Sequence, residues 1–430
     1  MEMNATERYR WLIFGILGTI YFLACLHRVA PTVIARDLAQ AFNADAVVLG
    51  LIASSYFYLY SAVQPPVGIL TDTIGPRMVV TIFTVIAAAG GFIFGTASNA
   101  AMSMLGRALI GVGVGGVFVP SLKIFSRWFR ASEFASLTGI LLAISGLGGL
   151  SAALPLTYLV LFLGWRLSFV LLGAFSLFFA LICWAVVRDR PEDKGWPPME
   201  IEAAQSRPVA SELPEDMRTF KRLGLIFRSF NFWMITLALF FSGGVSLTFQ
   251  GLWAVPYLID AYGLSRAKAG GLLMLIPFGF GVGALVFGLL IDRLALNRKA
   301  VLICSMSLSI ICWIILLFFG GRSSYLLVVP LFLALGLLGG GYLTVVMTIT
   351  KELFPYWLIG TAIGLMNPAA FLATAFYQPL TGFLLDRVGP LDSGAYPLEA
   401  YQLVFIAFLI SISIALIATI MLSLPKTNAS

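Results

Sequence analysis

The stretch WLIFGILGTIYFLACLHRVAPTVIA, residues 11–35, decides the fold. Apart from His27 and Arg28, its residues are apolar, small or weakly polar, and a run of this length suffices for a helix to cross a membrane. The next charges, Arg36 and Asp37, mark the outer rim of that helix, which places Arg28 about 12 Å below the rim. Because an arginine is costly in hydrocarbon, we expect Arg28 to face protein or a water-filled cavity. The alternative is a side chain that snorkels to the interface.

Composition identifies the class of protein. The 430 residues are 60% hydrophobic and 11% charged, with a mean hydropathy of +0.97. Soluble domains carry roughly 25% charged residues, so the chain is predicted to be an integral membrane protein. Its apolar runs are continuous over about twenty residues instead of alternating, which predicts spanning helices and excludes a β-barrel.

Few residues are suited to metal binding or catalysis. The single histidine, His27, excludes a histidine-rich metal site. The four cysteines all lie in apolar runs and are predicted to be small buried hydrophobes. No catalytic constellation is visible, so we predict no enzyme, no cofactor and no metal. The first apolar run is too long for a cleavable signal and lacks a following A-x-A site. The cysteines are Cys25, Cys183, Cys304 and Cys312.

Twelve apolar runs are predicted to be membrane spans. One long polar segment, rich in proline and charge, divides them into six and six. This predicts an N-terminal six-helix bundle (1–187), a cytoplasmic linker (188–230) and a C-terminal six-helix bundle (231–430). The runs are at about 11–35, 46–69, 78–97, 101–122, 134–160, 166–187, 231–258, 268–291, 300–320, 325–349, 358–384 and 401–424.

The two halves repeat. WFRASEFASLTGI (128–140) aligns with LFPYWLIGTAIGL (353–365) at an offset of 225 residues, and the same offset places Pro31 on Pro256. Two copies of a six-helix unit are typical of transporters whose site lies near the bilayer midplane between the halves.

Lysine and arginine placement predicts the orientation. With the N-terminus inside, most basic residues fall in inner segments. We therefore expect a protein of the bacterial inner membrane with both termini on the cytoplasmic side. The net charge of +7 then reflects topology and gives no reason to propose nucleic acid as a partner.

One loop motif occurs in both halves, and two further motifs occur on helices of the first half. The loop after the second span has the pattern G-x-x-x-D-x-x-G-x-R, and a displaced copy follows the eighth span. An R-x-x-x-G element opens the fourth span, and Gly-Trp-Arg opens the sixth. The residues are Gly68, Asp72, Gly75 and Arg77, with Thr73 where a base is usual; Gly288, Asp292, Arg293, Arg298 and Lys299; Arg107 and Gly111; and Gly164, Trp165 and Arg166.

Through these motifs the chain resembles the major facilitator superfamily over essentially its whole length. The resemblance implies an all-α fold of twelve transmembrane helices in two pseudo-symmetric six-helix bundles. It also implies a monomeric transporter that works by alternating access between the two sides of the membrane.

The loop motif predicts a cytoplasmic gate. An aspartate in this loop can cap a helix N-terminus, and nearby arginines can pair with it. We expect Asp72 to pair with Arg77, joined by Arg127, and Asp292 and Arg298 to act in the second copy. The alternative is that these are ordinary loop charges that fix topology.

Arg107 is a candidate for coupling, because the family associates the matching arginine with protons in many members. The alternative is a structural pairing with a loop carbonyl. The segment SGLGGLSAALP (145–155) lacks the Gly-Pro pair of the family's antiporter signature, which argues against a drug/proton exporter.

The first span, with His27-Arg28-Val-Ala-Pro31, and the tyrosine-rich second span resemble the organic-anion and sugar-phosphate permease branch. Organophosphate members of that branch carry a further arginine in span seven and a lysine late in span two. Here Trp253 and Gln64 occupy those places. One arginine can hold a carboxylate in a bidentate contact, so a small organic monoanion is favoured over a sugar phosphate.

The candidate substrate-binding residues project from three spans besides the first. Tyr56 and Tyr60 share one face of span two, although tyrosines also simply pack at helix interfaces. Asn367 precedes Pro368 near the middle of span eleven, where a broken helix would free backbone groups to line a cavity. Lys123 could guide an anion, but the favoured interpretation is a topological anchor. The full set is Arg28, His27, Tyr56, Tyr60, Gln64, Gln250, Trp253, Asn367, Tyr377 and Gln378.

The acids leave coupling open. All twenty Asp and Glu fall at helix ends or in loops, so no carboxylate is positioned for a mid-membrane proton relay. His27 titrates near neutrality in its ordinary state, and it either titrates with the substrate or bonds to a neighbouring helix. An anion could also carry its own proton or exchange against another anion.

We therefore predict a secondary transporter of a small organic anion, with proton coupling as one of the open alternatives. Two other hypotheses remain open at this stage. One is an exporter of amphiphilic compounds, in which Arg28 is dispensable. The other is a transporter-like receptor that binds a solute without moving it, which the short linker disfavours.

Overall fold

The computed structural model describes residues 5–197, 224–294 and 297–423. Within these ranges the side chains of residues 5, 131, 132, 135, 290–294, 351, 352 and 356–360 lie outside the description. The described residues are helices and short connections, with no strand among them. The chain forms two compact units, Met1–Ser206 and Arg207–Ser430, and their boundary falls within the predicted linker.

The first unit contains eight α-helices and a short 3₁₀ helix among its described residues. They are α1 (Ala5–Val29), α2 (Pro31–Phe42), α3 (Ala46–Thr73), α4 (Pro76–Gly95), α5 (Ala100–Gly115), α6 (Phe118–Trp128), α7 (Ala131–Ser151) and α8 (Leu154–Val186), followed by the 3₁₀ helix Pro191–Lys194.

The second unit adds a π-helical turn to the same kind of helices. Its named elements are α9 (Phe230–Thr248), the π-helix Phe249–Trp253, α10 (Ala254–Tyr262), α11 (Arg266–Leu273), α12 (Leu275–Leu294), α13 (Arg298–Phe319), the 3₁₀ helix Tyr325–Leu327, α14 (Val328–Leu353), α15 (Tyr356–Met366), α16 (Pro368–Val388) and α17 (Leu398–Ile420).

Ten helical stretches of the described chain are long and apolar enough to cross a membrane. The other two predicted spans are also helical. Span five is α7 with the first part of α8, which passes into span six at Gly164, where the backbone leaves the helical region (φ 75°, ψ 159°). Span eleven is α15 with α16. Ten and two give the twelve predicted spans.

Prolines explain where spans are interrupted. A proline has no N–H to donate and is favoured at the first position of a helix. Pro31 begins α2 one residue after α1 ends, and Pro368 begins α16 directly after Asn367. The interruption expected at Asn367 is limited to the hydrogen bond that Pro368 cannot donate, since Asn367 keeps helical dihedral angles (φ −58°, ψ −39°) and its N–H bonds to the Ile363 carbonyl at 2.9 Å.

Glycines let helix backbones touch. A methyl group added at Gly340 in α14 would lie 1.9 Å from the Phe280 carbonyl oxygen of α12, and one at Gly111 in α5 would lie 2.2 Å from the Tyr56 carbonyl oxygen of α3. Close approach over small residues is how membrane helices gain packing energy without a hydrophobic driving force. The Gly111 contact brings α5 against the part of α3 that carries Tyr56 and Tyr60.

Candidate functional site

Arg28 lies in the last turn of α1, within a group of polar aromatic residues. Its guanidinium carbon is 5.7 Å from the centre of the Tyr60 ring. Cys25, Tyr56 and Tyr21 also lie near this guanidinium. Arg28 is half-buried, whereas Tyr56 is wholly buried. The Arg28 guanidinium is therefore a partly accessible cation packed beside the phenol rings of tyrosines.

Two of these tyrosines lie on span two. Tyr56 and Tyr60 are one helical turn apart on α3, and their rings stack with centroids 5.8 Å apart and planes 11° from parallel. The half-buried Gln64, one turn further on, interacts with the Tyr60 side chain. The polar stripe predicted for this helix is thus present beside Arg28.

Arg107 lies on α5, against the Tyr56 ring, and is wholly buried. Its Nη1 donates a 2.8 Å hydrogen bond to the backbone carbonyl of His27, and its guanidinium carbon is 4.8 Å from the Tyr56 ring centre. The predicted alternative of a loop carbonyl is wrong in one respect, since the acceptor belongs to a helix. The His27 ring is 1% exposed and 6.2 Å from the Phe169 ring, so it faces the bundle interior.

In the second unit the helices that carry the predicted residues of spans seven and eleven pack against each other. The Trp253 Nε1 donates a 2.7 Å hydrogen bond to Thr381 Oγ1, and the Tyr377 hydroxyl donates to Ser411 Oγ at 2.6 Å. A methyl group added at Gly251 in the π-helix would lie 3.6 Å from the Gln378 amide nitrogen.

These C-terminal residues differ in exposure. Gln250 is half-buried in the π-helix, whereas Trp253 and Tyr377 are buried and bonded to other side chains. Gln378 is wholly buried, and neither of its amide atoms has a partner among the described residues. Asn367 is exposed and lies about 16 Å along the span from Gln378. The structure therefore does not bring Asn367 to Gln378.

The predicted cytoplasmic pairing is different from the one observed. The Asp72 carboxylate pairs with the Lys123 ammonium of α6, and this ammonium also donates to the Thr71 carbonyl at 3.1 Å. The sequence favours Lys123 as a topological anchor, with guidance of an anion as the alternative, and it does not predict this pairing. Lys123 reaches Asp72 because α6 runs beside the end of α3, which a sequence pattern does not reveal.

Arg77 is engaged elsewhere. Its backbone N–H donates a 2.7 Å hydrogen bond to the Asp189 carboxylate, which caps the start of α4. Gly75 has φ +89°, and a methyl group there would lie 2.5 Å from an Asp189 oxygen, so only glycine leaves room for this cap. The Asp72 carboxylate thus pairs with Lys123 and not with Arg77, whose backbone N–H bonds to Asp189.

The other residues predicted to act in gating are Arg127, Arg298 and Asp292. Arg127 is half-buried in the last turn of α6, and Arg298 begins α13. The side chain of Asp292 lies outside the described residues, so the contact expected of it stays a prediction.

Two neighbours of Arg28 were not among the candidates. Tyr21 lies seven residues before Arg28, a spacing that returns to the same helix face, so this signal was available in the sequence. Cys25 lies three residues before Arg28, and its Sγ is 3.1 Å from Ser145 Oγ of α7. Its spacing of three residues also places it on the same helix face, but its residue type indicated packing, because a cysteine in an apolar run usually only packs.

Comparison with known proteins gives the family. The sequence model of the Major Facilitator Superfamily matches residues 17–276 and 251–430. A probable sulfoacetate transporter of Cupriavidus necator is 27% identical over 407 residues, 91% of this chain and 90% of that protein. The hexuronate transporter of Escherichia coli is 24% identical over 400 residues, 90% of each.

Solved structures agree on the fold. A bacterial homologue of the human lysosomal transporter Spinster, in an inward-facing conformation, has a TM-score of 0.77 at 18% identity, covering 96% of each chain. A D-xylose–proton symporter has a TM-score of 0.75 at 14% identity, covering 98% of this chain and 99% of its own. The chain therefore belongs to the Major Facilitator Superfamily and is a multi-pass membrane transporter, not an enzyme.

Proposed function

We propose that this protein moves a small organic anion across the bacterial inner membrane by alternating access, with Arg28 binding the anionic group. The observation that carries the proposal is the partly accessible Arg28 beside Tyr21, Tyr56 and Tyr60. A guanidinium offers paired donors to a carboxylate or sulfonate, and tyrosines add hydroxyls without adding competing negative charge.

The relatives support this class of substrate. Their names specify sulfoacetate, hexuronate and galactonate, which are all small organic anions. The latter two also carry several hydroxyl groups. Tyr60 and Gln64, which lie beside Arg28, would supply hydrogen bonds to such groups.

The first test is binding to purified wild-type protein. Sulfoacetate, D-galactonate, D-galacturonate, a hexose phosphate and a cationic amphiphile are each titrated while the melting temperature is followed, since a ligand that binds only the folded state raises it. We expect one or more of the first three anions to stabilise the protein.

Arg28→Gln tests the residue. It is expected to raise the Kd of the stabilising anion about tenfold or more, because hydrogen bonds to a charged donor are lost. Arg36→Gln is the matched control, since it removes an arginine at the rim of the same span and should leave the Kd unchanged. Stabilisation by the amphiphile that survives Arg28→Gln would instead identify an exporter of amphiphilic compounds.

Flux in proteoliposomes separates a carrier from a receptor. Uptake of the radiolabelled anion is measured with an imposed pH gradient and, separately, with an opposing gradient of the same anion. Acceleration by the pH gradient indicates proton coupling, and acceleration by the opposing anion indicates exchange. Saturable binding without flux under either condition would contradict the transport proposal.

A further inference from the structure

The break in span one leaves a backbone acceptor without its usual donor. In an α-helix each carbonyl accepts from the N–H four residues later, and for His27 that residue is Pro31, which has no N–H. Helix α1 ends at Val29 and α2 begins at Pro31. The N–H of Val33 reaches only to the carbonyl of Ala30, at 3.3 Å.

Arg107 donates to that carbonyl. Its Nη1 lies 2.8 Å from the His27 oxygen, while the Tyr56 ring covers the same guanidinium from 4.8 Å. Its Nε and Nη2 have no partners among the described residues. A wholly buried arginine is therefore held by one directional bond to the backbone and one aromatic ring.

The bond acts on the residue that follows. The His27 carbonyl and the Arg28 nitrogen belong to one planar peptide group, so fixing the carbonyl fixes the plane from which the Arg28 side chain departs. This group lies in the last turn of α1, where Pro31 removes one of the hydrogen bonds that hold the helix. A more mobile group there would spread the guanidinium over several positions. A fixed one presents it in a single position.

The second half of the chain also has a proline that removes a backbone donor at the equivalent position, but it has no arginine there. Pro256 is the repeat equivalent of Pro31, at the offset of 225, and position 332, the equivalent of 107, is phenylalanine. There the helix widens into the π-turn Phe249–Trp253, and the N–H of Ala254 bonds to the carbonyl of Phe249, five residues back. The proline alone thus does not require an arginine. The buried arginine is present in the same half of the chain as Arg28.

We propose that Arg107 is a positioning residue for Arg28, donating the hydrogen bond that Pro31 removes, and that it neither contacts the anion nor carries a coupled proton. This inference rests on the proposed function of Arg28. Its distinguishing consequence is that a donor restored at residue 31 makes Arg107 less necessary.

The test is a double-mutant cycle in the full-length protein, with sulfoacetate and D-galacturonate as probes. Arg107→Met is expected to raise the Kd about tenfold, the effect of losing one charged hydrogen bond. Pro31→Ala returns an N–H to the helix, and in that background Arg107→Met is expected to raise the Kd less than about threefold. Pro256→Ala is the matched control, because it restores a donor in the other half and should rescue nothing.

A second readout needs no ligand. Amide hydrogen exchange of the segment 26–34 is expected to speed up in Arg107→Met and to slow again in Pro31→Ala/Arg107→Met. Pro256→Ala/Arg107→Met should remain fast. If Arg107→Met does not fold, Arg107→Lys, which keeps a charged donor of different reach, is compared with Arg107→Gln in the same cycle.

The outcomes are distinguishable. A loss of proton-driven uptake in Arg107→Met, with unchanged Kd, anion exchange and amide exchange, would overturn the positioning role and assign proton coupling. Equal damage in both proline backgrounds would also overturn it. If no probe anion binds and Arg28→Gln changes nothing, the proposed function fails, while the amide-exchange cycle still decides the role of Arg107.

Discussion

Arg28 and Arg107 lie in the same bundle, but their surroundings differ. Arg28 is partly exposed beside phenol groups, whereas Arg107 is wholly buried and bonded to a backbone carbonyl. A charge is expensive inside a membrane protein, and the cost is met by a protein partner or by a ligand. The exposure of each side chain therefore separates the residue that can bind an anion from the one that organises the helix.

At this scale the Asp72–Lys123 pair permits a prediction about gating. The Asp72 side chain is 75% exposed, so the pair contributes less than about 1 kcal/mol to stability. We expect Asp72→Asn to leave the melting temperature nearly unchanged but to alter the transport rate in proteoliposomes. Asp193→Asn, which removes an acid from the exposed pair with Arg190, is the control and should change neither. Equal transport defects in both variants would show that the effect is only one of surface charge.

At the scale of elements, glycines determine how closely helices pack. Gly340→Ala would force a methyl group to within 1.9 Å of the Phe280 carbonyl oxygen, so α12 and α14 would have to separate. We expect a loss of about 1–3 kcal/mol, seen as a lower melting temperature, because overpacked backbone contacts relax poorly.

Gly364→Ala in α15 is the matched control. It is a helical glycine with nothing within 4 Å of the added methyl group, and alanine is the better helix former. Its melting temperature should be unchanged or higher. A decrease as large as that of Gly340→Ala would mean that packing is not the cause.

Elements were largely predictable from the sequence, and contacts between them only in part. Hydrophobic run length predicted the twelve spans, and proline chemistry predicted where span eleven loses a hydrogen bond at Pro368. The stripe of Tyr56, Tyr60 and Gln64 followed from helical spacing within one element. The partner of Asp72 could not be predicted from the sequence. Arg77 is close to Asp72 along the chain, whereas Lys123 comes close only because α6 packs beside α3.

At the scale of the whole molecule, the distribution of basic residues predicts which side each loop faces. With both termini inside, Ser98 and Ser393 lie in outer connections, while Thr73 lies in an inner one. All three residues are exposed. Cysteines placed at Ser98 and Ser393 should react with a membrane-impermeant maleimide in intact cells, and a cysteine at Thr73 only after permeabilisation.

The background for this experiment is a Cys304→Ser variant. Cys304 is the exposed cysteine of the four, and Cys25, Cys183 and Cys312 are buried. Labelling of Thr73→Cys in intact cells, with protection of the other two sites, would reverse the predicted orientation.

The charge of Arg28 has no counterpart in the second half, where the repeat equivalent is Trp253. Moving one elementary charge through the membrane field is worth about 2.3 kcal/mol per 100 mV. A monoanion bound to Arg28 cancels that charge, whereas the empty site retains it. In a carrier that alternates as proposed, an inside-negative voltage draws the empty site toward the cytoplasm and acts little on the loaded one. Voltage would then govern the step in which no substrate moves.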